Sequence, residues 1–234
     1  MARPALLVIC QPDIGALLTR RWENRPPDAQ WQLCSPEQLP GQQADALLLV
    51  QQPLAMALAM AATCQLPCAD VALLPNPAAA EYGFMLAAGG QPAALDLFAP
   101  LLDTLAPLPQ GWLHSGPIAS ASFCGELVLR LGSNGLAPLL AGLSQQFQAQ
   151  PLGSPTDQQQ LLLALQQFMG TQLDSLRSLR MLAEHYLQQT GDGMQPFVPH
   201  HHQTRQFGLY AESASQSPAA QLARLLLAIL PAGQ

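Results

Sequence analysis

The chain has 234 residues, of which 49% are hydrophobic and only 10% charged, and its formal net charge at pH 7 is −6. All nine basic residues are arginines. The absence of lysine excludes a phosphate-binding P-loop lysine, a Schiff-base lysine and a lysine that acts as acid or base, because arginine stays protonated and cannot replace it. The negative charge and the dispersed arginines predict no nucleic-acid partner.

The first half of the chain alternates strand and helix patterns. The predicted strands, in chain order, are Ala5–Cys10, Gln30–Cys34, Asp45–Val50 and Ala69–Leu74. The predicted helices are Ile14–Trp22, Pro53–Thr63 and Pro92–Leu105. This alternation predicts a doubly wound, Rossmann-like α/β domain over residues 1–115.

Strand patterns fade after Gly116, and helical patterns replace them. The predicted helices are Ser122–Leu131, Pro138–Phe147, Asp157–Met169, Thr171–Gln188, Gln203–Ala214 and Pro218–Leu230. A Thr171-x-x-Asp174 capping pattern predicts that a separate helix begins at Thr171. We therefore expect an all-α C-terminal domain over residues 116–234, joined to the first domain near residues 111–118.

The apolar runs and the cysteines predict a location. The longest apolar run, Leu54–Ala62, is too short to cross a bilayer, and the N-terminus has no signal-like pattern. Cys64 and Cys68 have no second cysteine pair nearby to complete a structural zinc site. Five cysteines, an odd number, fit a reducing compartment. We expect a cytoplasmic protein with free thiols and no membrane partner.

The turn after the first strand is where a Rossmann-like domain binds a dinucleotide pyrophosphate. The turn runs from Cys10 through Gln11, Pro12, Asp13 and Ile14 to Gly15. Cys10 and Pro12 occupy the places of the first two glycines of the usual Gly-x-Gly-x-x-Gly fingerprint. Residues 11–15, together with Ser35 and Gln51, are the candidate cofactor-contacting residues. We expect that no cofactor binds, with NAD(P) as the alternative.

Histidines and serines supply the other candidates for chemistry. His200, His201 and His202 have no further ligand nearby in sequence and follow Pro199, so we expect solvated histidines and no bound metal. His114 could act as an acid or base, although a packed histidine at the domain junction is commoner. The serines near it lack a Gly-x-Ser-x-Gly context, which gives hydrolase chemistry little support.

The segment 79–123 resembles the end of the cofactor domain in the 6-phosphogluconate and β-hydroxyacid (3-hydroxyisobutyrate) dehydrogenase family. That family has a Gly-Ala-x-x-Gly motif, a short apolar strand, Gly-Gly, a helix ending near Pro-Leu-Leu, and a Gly-Pro-x-Gly-x-Gly turn. The matching residues here are Ala80, Gly83, Gly89, Gly90, Pro100, Leu101, Leu102, Gly116 and Pro117. Arg205–Ala214 is similar to the family's Lys-Asp-Leu-Gly-Leu-Ala segment. The resemblance implies a Rossmann-like domain followed by a helical domain that forms homodimers.

The departures from the family's pattern fall on its functional positions. By the resemblance, the catalytic lysine is replaced by Gly125 and its asparagine by Leu129. The substrate-binding Ser-Gly-Gly falls on residues 74–76, and the glycines of the turn become Ala119 and Ala121. Compared with the family, the segment 50–70 is too short to contain one of the family's strand-helix units, so we expect a smaller sheet.

We therefore predict a dehydrogenase-like protein that lacks the catalytic residues and acts as a binding, interaction or sensor protein. The alternative is an NAD(P)-dependent oxidoreductase on a small hydroxyacid with a relocated catalytic group. The residues that could line its cleft are Asn76, His114, Ser120, Ser122, Glu126 and Arg205. The leucine-rich last helix predicts burial against another surface, which is consistent with a homodimer.

Overall fold

The computed structural model describes residues 4–38, 43–74, 78–133, 155–192, 194, 196–203 and 216–230. Of residues 133, 155–169, 171 and 172 it describes the backbone alone. The predicted helix Pro138–Phe147, all of Gln203–Ala214 except its first residue, and the candidates Asn76 and Arg205 lie outside the described residues.

One sheet of six strands organises the described chain. The strands are β1 (Ala5–Ile9), β2 (Gln30–Cys34), β3 (Ala46–Val50), β4 (Cys68–Leu73), β5 (Leu86–Gly90) and β6 (Leu113–Gly116). Their spatial order is β2-β1-β3-β4-β5-β6. The first four strands are parallel, which confirms the four strands predicted from the sequence. This arrangement is a Rossmann-like α/β sheet followed by a helical region.

The last two strands differ from the predicted pattern. β5 runs antiparallel to β4, and β6 is parallel to β5. Small residues make up most of β5, and β6 contains His114 and Ser115, so neither strand shows the β-branched apolar pattern by which strands are recognised. Only the family resemblance had implied a strand before Gly89.

Seven α-helices lie among the described residues. They are α1 (Pro12–Asn24), α2 (Leu54–Thr63), α3 (Ala79–Tyr82), α4 (Pro92–Leu105), α5 (Ser120–Ser133), α6 (Pro155–Thr190) and α7 (Pro218–Ile229). A short 3-10 turn occupies Pro36–Gln38. None of the described helices is long and apolar enough to cross a membrane.

The prediction of two helices over 157–188 was wrong, because α6 is continuous through Gly170 and Thr171. A single glycine costs a helix only about 1 kcal/mol, which the rest of a long helix can offset. The Thr171-x-x-Asp174 pattern can cap a helix only where the chain first enters it, and here the chain is already helical.

Helices cover both faces of the sheet. Leu6 and Val8 of β1 point into one core cluster, which also contains residues of α1 and α4. Leu7 and Ile9 point into the opposite cluster, which contains residues of α2, α5, α6 and α7. The C-terminal helices thus form one of the two layers that bury the sheet, and the domain boundary at residue 115 stays a prediction.

Candidate functional site

The carboxyl ends of β1 and β3 form the topological switch point of the sheet. The chain leaves β1 for β2 on one side, whereas β3 leads to β4 on the other. In open α/β sheets, ligands bind in the crevice outside these strand ends. The first turn of α1 and the residues after β3 lie there, so the predicted cofactor-contacting residues are brought to one edge.

The first turn of α1 has few groups that could bind a pyrophosphate. Pro12 is the first helical residue and has no N–H to donate, and the exposed Asp13 adds a negative charge beside the helix N-terminus. A Cβ on the buried Gly15 would lie 3.4 Å from Cys10 Sγ, so this glycine is not strictly required by packing. Ile14 is half-buried, and Gln11 makes no side-chain capping bond. Few of the features that bind a dinucleotide phosphate are present.

Of the two predicted contact residues that follow β2 and β3, Gln51 has its side chain held by the protein itself. Gln51 adopts a left-handed conformation with φ 51°, and its Oε1 accepts a hydrogen bond from the Leu73 N–H at 2.7 Å. For Ser35 it is the backbone N–H that is bonded, to Gln38 Oε1 at 3.3 Å. The Gln51 side chain therefore joins the ends of β3 and β4.

Gln52, which was not predicted, lies in the crevice between β1 and β3. Its side chain is 3% exposed, and Nε2 donates to the Val50 carbonyl at 3.0 Å and the Ile9 carbonyl at 3.4 Å. Its buried Oε1 has no hydrogen-bond partner among the described residues. A polar residue directly after a buried apolar strand was the sequence signal that could have identified it.

An apolar cavity of about 290 Å³ opens at the same edge of the sheet, beyond the end of β4. Its lining comes from the end of β4, the beginnings of β5 and β6, and α5. The described lining residues are Ala72, Leu73, Leu74, Met85, Leu86, Ala87, Pro107, Gly111, Leu113, Cys124, Gly125, Val128 and Leu129. Among these side chains there is no carboxylate, imidazole, amine or hydroxyl group.

Gly125 and Leu129, which the resemblance places at the catalytic positions of the resembled family, both line this cavity. A Cβ on Gly125 would lie 2.9 Å from the Ala72 Cβ, so α5 crosses β4 too closely for a larger side chain. Leu129 is 53% exposed and places an alkyl chain beside the opening. Cys124 is the one lining thiol, and burial raises its pKa to about 12. Because the thiolate is the nucleophile, Cys124 is unreactive near neutral pH.

The candidate serines lie at the N-terminus of α5, where Asp70 binds the helix end. The fully buried Asp70 accepts hydrogen bonds from the Ala119 N–H at 2.8 Å and the Ser122 N–H at 2.6 Å. Burial raises the pKa of Asp70 to about 6, although these hydrogen bonds oppose the shift. Ser120 Oγ lies 2.8 Å from Ser115 Oγ. These polar groups fasten α5 to the sheet.

Glu126 also has a structural role. Its Oε1 accepts a hydrogen bond from the Leu54 N–H at 2.7 Å and so caps α2. Its Oε2 lies 3.0 Å from Arg130 Nη2, which confirms the predicted i,i+4 pair. Both carboxylate oxygens are therefore committed, and the relocated-catalyst role for Glu126 has no support in its contacts.

His114 is a packed histidine, in agreement with the commoner of its two predicted outcomes. It is 1% exposed, and Nε2 lies 3.0 Å from both the Gly90 and the Gly116 carbonyl oxygens. Nδ1 accepts a hydrogen bond from the His200 N–H at 2.9 Å, so the ring is neutral with its proton on Nε2. Burial lowers the pKa of His114 to about 4.

A second cavity, of about 670 Å³, lies beside His114 at the opposite edge of the sheet. The carboxyl ends of β5 and β6 line it, together with residues 190–192, 194 and 196–198. Asp192 lies there and accepts hydrogen bonds from the Tyr186 hydroxyl and from Ser217, the capping residue of α7. The polar groups at this edge join the C-terminal segments to one another and to the sheet.

The expectation of solvated histidines was wrong for His200, whose side chain is 0% exposed. Its Nε2 lies 2.9 Å from Asp96 Oδ1, and its ring contacts those of Trp112, His201 and His202. His201 remains exposed, as expected. Asp96 is separated from His200 by 104 residues, so no local pattern in the sequence predicted their contact.

No protein-family model matches the chain, and none of the curated proteins matches its sequence. Several solved structures are similar to it. A V8 variant of the imine reductase from Myxococcus stipitatus, in complex with NAD+, is 14% identical, with a TM-score of 0.45, and the match covers 96% of this chain and 100% of that chain. The 3-hydroxyisobutyrate dehydrogenase of Mycobacterium tuberculosis, with L-serine, is 12% identical, with a TM-score of 0.43 and coverage of 96% and 99%.

The reductive aminase from Aspergillus terreus, in complex with NADPH4, cyclohexanone and allyl amine, is 12% identical, with a TM-score of 0.45 and coverage of 96% and 93%. By their names, these three proteins are an imine reductase, a 3-hydroxyisobutyrate dehydrogenase and a reductive aminase. At such identities and TM-scores they say nothing about what this chain binds or catalyses.

Proposed function

We propose that this protein is a non-catalytic binding or sensor protein of dehydrogenase-like fold, which takes a small apolar molecule into the cavity between β4, β5, β6 and α5. The observation that carries the proposal is the position of Gly125 and Leu129. At the places where the resembled family has its catalytic lysine and asparagine, they give an apolar wall instead of reactive groups.

Hydride transfer to or from a hydroxyacid requires a group that moves the hydroxyl proton. The described cavity wall offers only the Cys124 thiol, which burial keeps protonated by raising its pKa to about 12. The candidates outside the cavity are committed elsewhere, since Glu126 caps α2 and His114 bonds to backbone groups at the opposite edge. Apolar burial is the interaction that this cavity provides best.

The test uses 1-N-phenylnaphthylamine, an uncharged dye whose fluorescence rises on transfer from water to an apolar site. We expect saturable binding to the wild-type protein and at least a tenfold loss in Ala87→Phe, whose ring would fill the cavity. The matched control is Ala59→Phe on the exposed side of α2, where binding should remain unchanged. Equal binding by both variants would overturn the proposal.

An alternative function is an NAD(P)-dependent oxidoreductase, and one observation favours it. The unpartnered Gln52 Oε1 lies at the switch point where such cofactors bind, beside an exposed α1 N-terminus. Titration with NADH and NADPH, followed by cofactor fluorescence, distinguishes the two functions. Our proposal predicts no binding at millimolar cofactor, whereas micromolar binding that is lost in Gln52→Leu would establish the alternative.

We also propose a homodimer that forms through the helical region. Leu226 of α7 packs into the core, but Leu225 and Ile229 on the same helix are 56% and 64% exposed. Size-exclusion chromatography with light scattering should give twice the monomer mass for the wild-type protein. The double variant Leu225→Glu, Ile229→Glu should give the monomer, and Leu108→Glu, at an exposed site outside the helical region, should not. A monomeric wild type would rule this assembly out.

A further inference from the structure

We propose that His200, His201 and His202, together with Asp96 of α4, form a binding site for a divalent transition metal ion such as Zn²⁺. The bound ion would fasten the segment 197–203 to α4. This site lies outside the apolar cavity and does not depend on the ligand proposed for it.

The three imidazole rings already lie close together. Each offers one ring nitrogen, and these three atoms lie within 4.8 Å of one another. The ring centroids are 3.8 Å apart for His201 and His202, and 4.2 Å apart for His200 and His201. Zn–N bonds of about 2.0–2.1 Å place tetrahedral ligands roughly 3.3 Å from one another. His201 is exposed and His202 is half-buried, so their rings have room to turn toward an ion.

Asp96 supplies the carboxylate. Its Oδ1 lies 2.9 Å from His200 Nε2 and 3.7 Å from His201 Nδ1, and its side chain is 55% exposed. Because Oδ1 is bonded to His200 Nε2, Asp96 is the outer carboxylate that orients a ligating histidine. The three imidazoles are then the protein ligands, and a water can take the fourth position of a tetrahedral Zn²⁺.

A second observation points to a ligand for His200. Its Nδ1 is buried and has no hydrogen-bond partner among the described residues. With Nε2–H donated to Asp96, Nδ1 carries a lone pair, and a buried lone pair without a partner is costly. Coordination of a cation by this nitrogen would remove that cost.

The backbone of the segment is held in place before any ion binds. The His200 N–H donates to His114 Nδ1 at 2.9 Å. Gln203 accepts a hydrogen bond from the His114 N–H and donates one to the Trp112 carbonyl, both at 2.9 Å. These contacts distinguish the cluster from a run of histidines on an unstructured chain, because they reduce the ordering cost of binding.

The experiment measures Zn²⁺ binding to the chelator-treated full chain by calorimetry, with thermal unfolding recorded in parallel. We expect one ion per chain and a melting temperature that rises with the Zn²⁺ concentration, because an ion that prefers the folded state stabilises it. Asp96→Asn should weaken binding by about tenfold or more, and His201→Ala with His202→Ala by about a hundredfold. His185→Ala, which removes an exposed histidine of α6, is the matched control and should change nothing.

A synthetic peptide that spans residues 196–206 tests whether the histidine run alone explains binding. The folded protein should bind Zn²⁺ at least tenfold more tightly than the peptide. Equal affinities, an Asp96→Asn variant that binds like the wild type, or Zn²⁺ that leaves the melting temperature unchanged would each overturn the proposed site.

Discussion

The two edges of the sheet differ in the side chains that they present. At the edge where β4 ends, the cavity is lined by alkyl groups, and glycine lets α5 lie against β4. At the edge where β5 and β6 end, His114 and Asp192 are buried and bonded to parts of the chain distant in sequence. The buried polar groups of the second edge join distant segments of the chain, and the first edge has an open apolar cavity, where we propose that a ligand binds.

This difference teaches that one sheet can present an apolar wall at one edge and a buried polar network at the other. A polar group that is buried must be satisfied, and at the second edge the partners are backbone and side-chain groups of the protein itself. Five substitutions, in four experiments, test the comparison, and we order the experiments by the size of the expected effect.

The largest effect should come from Gly89→Ala at the junction of β5 and α5. The new Cβ would lie 2.3 Å from Asp70 Oδ1, 2.4 Å from Ser120 Oγ and 2.7 Å from the Pro117 carbonyl oxygen. We expect a loss of about 4 kcal/mol in the free energy of unfolding, measured with urea, because none of these groups can withdraw freely. A loss below about 1 kcal/mol would show that Asp70 does not clamp α5 as described.

His114 should make the stability depend on pH at the polar edge. Burial lowers its pKa in the folded protein to about 4 from 6.5, so as the pH falls the unfolded chain takes up the proton first. Between pH 6.5 and pH 4 the wild type should lose up to about 3 kcal/mol relative to His114→Gln, which does not titrate.

Urea unfolding of both proteins across this pH range measures that difference. Asp70, whose pKa burial raises to about 6, acts in the opposite direction, but it is present in both proteins and cancels. If the unfolding free energies of the two proteins changed with pH by the same amount, His114 could not be neutral and buried in the folded state.

A pair of glycines on α5 tests the close approach at the apolar edge. Gly125→Ala would place a Cβ 2.9 Å from that of Ala72 and should cost about 2 kcal/mol. Gly132→Ala meets nothing within 4 Å and should instead stabilise the protein by roughly 0.5–1 kcal/mol through helix propensity. Thermal unfolding of the two variants should therefore show shifts of opposite sign, and equal shifts would refute the packing argument.

The smallest effect should come from Glu126→Gln. The amide oxygen can still accept the Leu54 N–H, but the charge that favours the N-terminus of α2 and pairs with Arg130 is lost. We expect a loss of about 1 kcal/mol in unfolding free energy and unchanged dye binding. Loss of dye binding at unchanged stability would instead give Glu126 a direct role in the ligand site.

Local sequence was sufficient for the parallel half of the sheet. The strands β1 and β3 were predicted because buried parallel strands consist of continuous apolar runs, and β2 and β4 because short apolar stretches carry a strand pattern in adjacent residues. The packed state of His114 was the commoner of its two predicted outcomes, because a histidine at a domain junction is more often packed than catalytic. The absence of lysine, which excludes lysine-dependent catalysis, is also a property of the sequence by itself.

Tertiary structure alone decided the contacts that give the two edges their character. The antiparallel direction of β5, the approach of Gly125 to Ala72 and the contact of His200 with Asp96 all join residues far apart in the chain. Periodicity reports whether a side chain is buried but not which distant group it meets, because the partner is set by the path of the chain between them. For this reason the sequence indicated which positions depart from the pattern of the resembled family, and only the fold showed the apolar wall at those positions and the contact of the histidine run with Asp96.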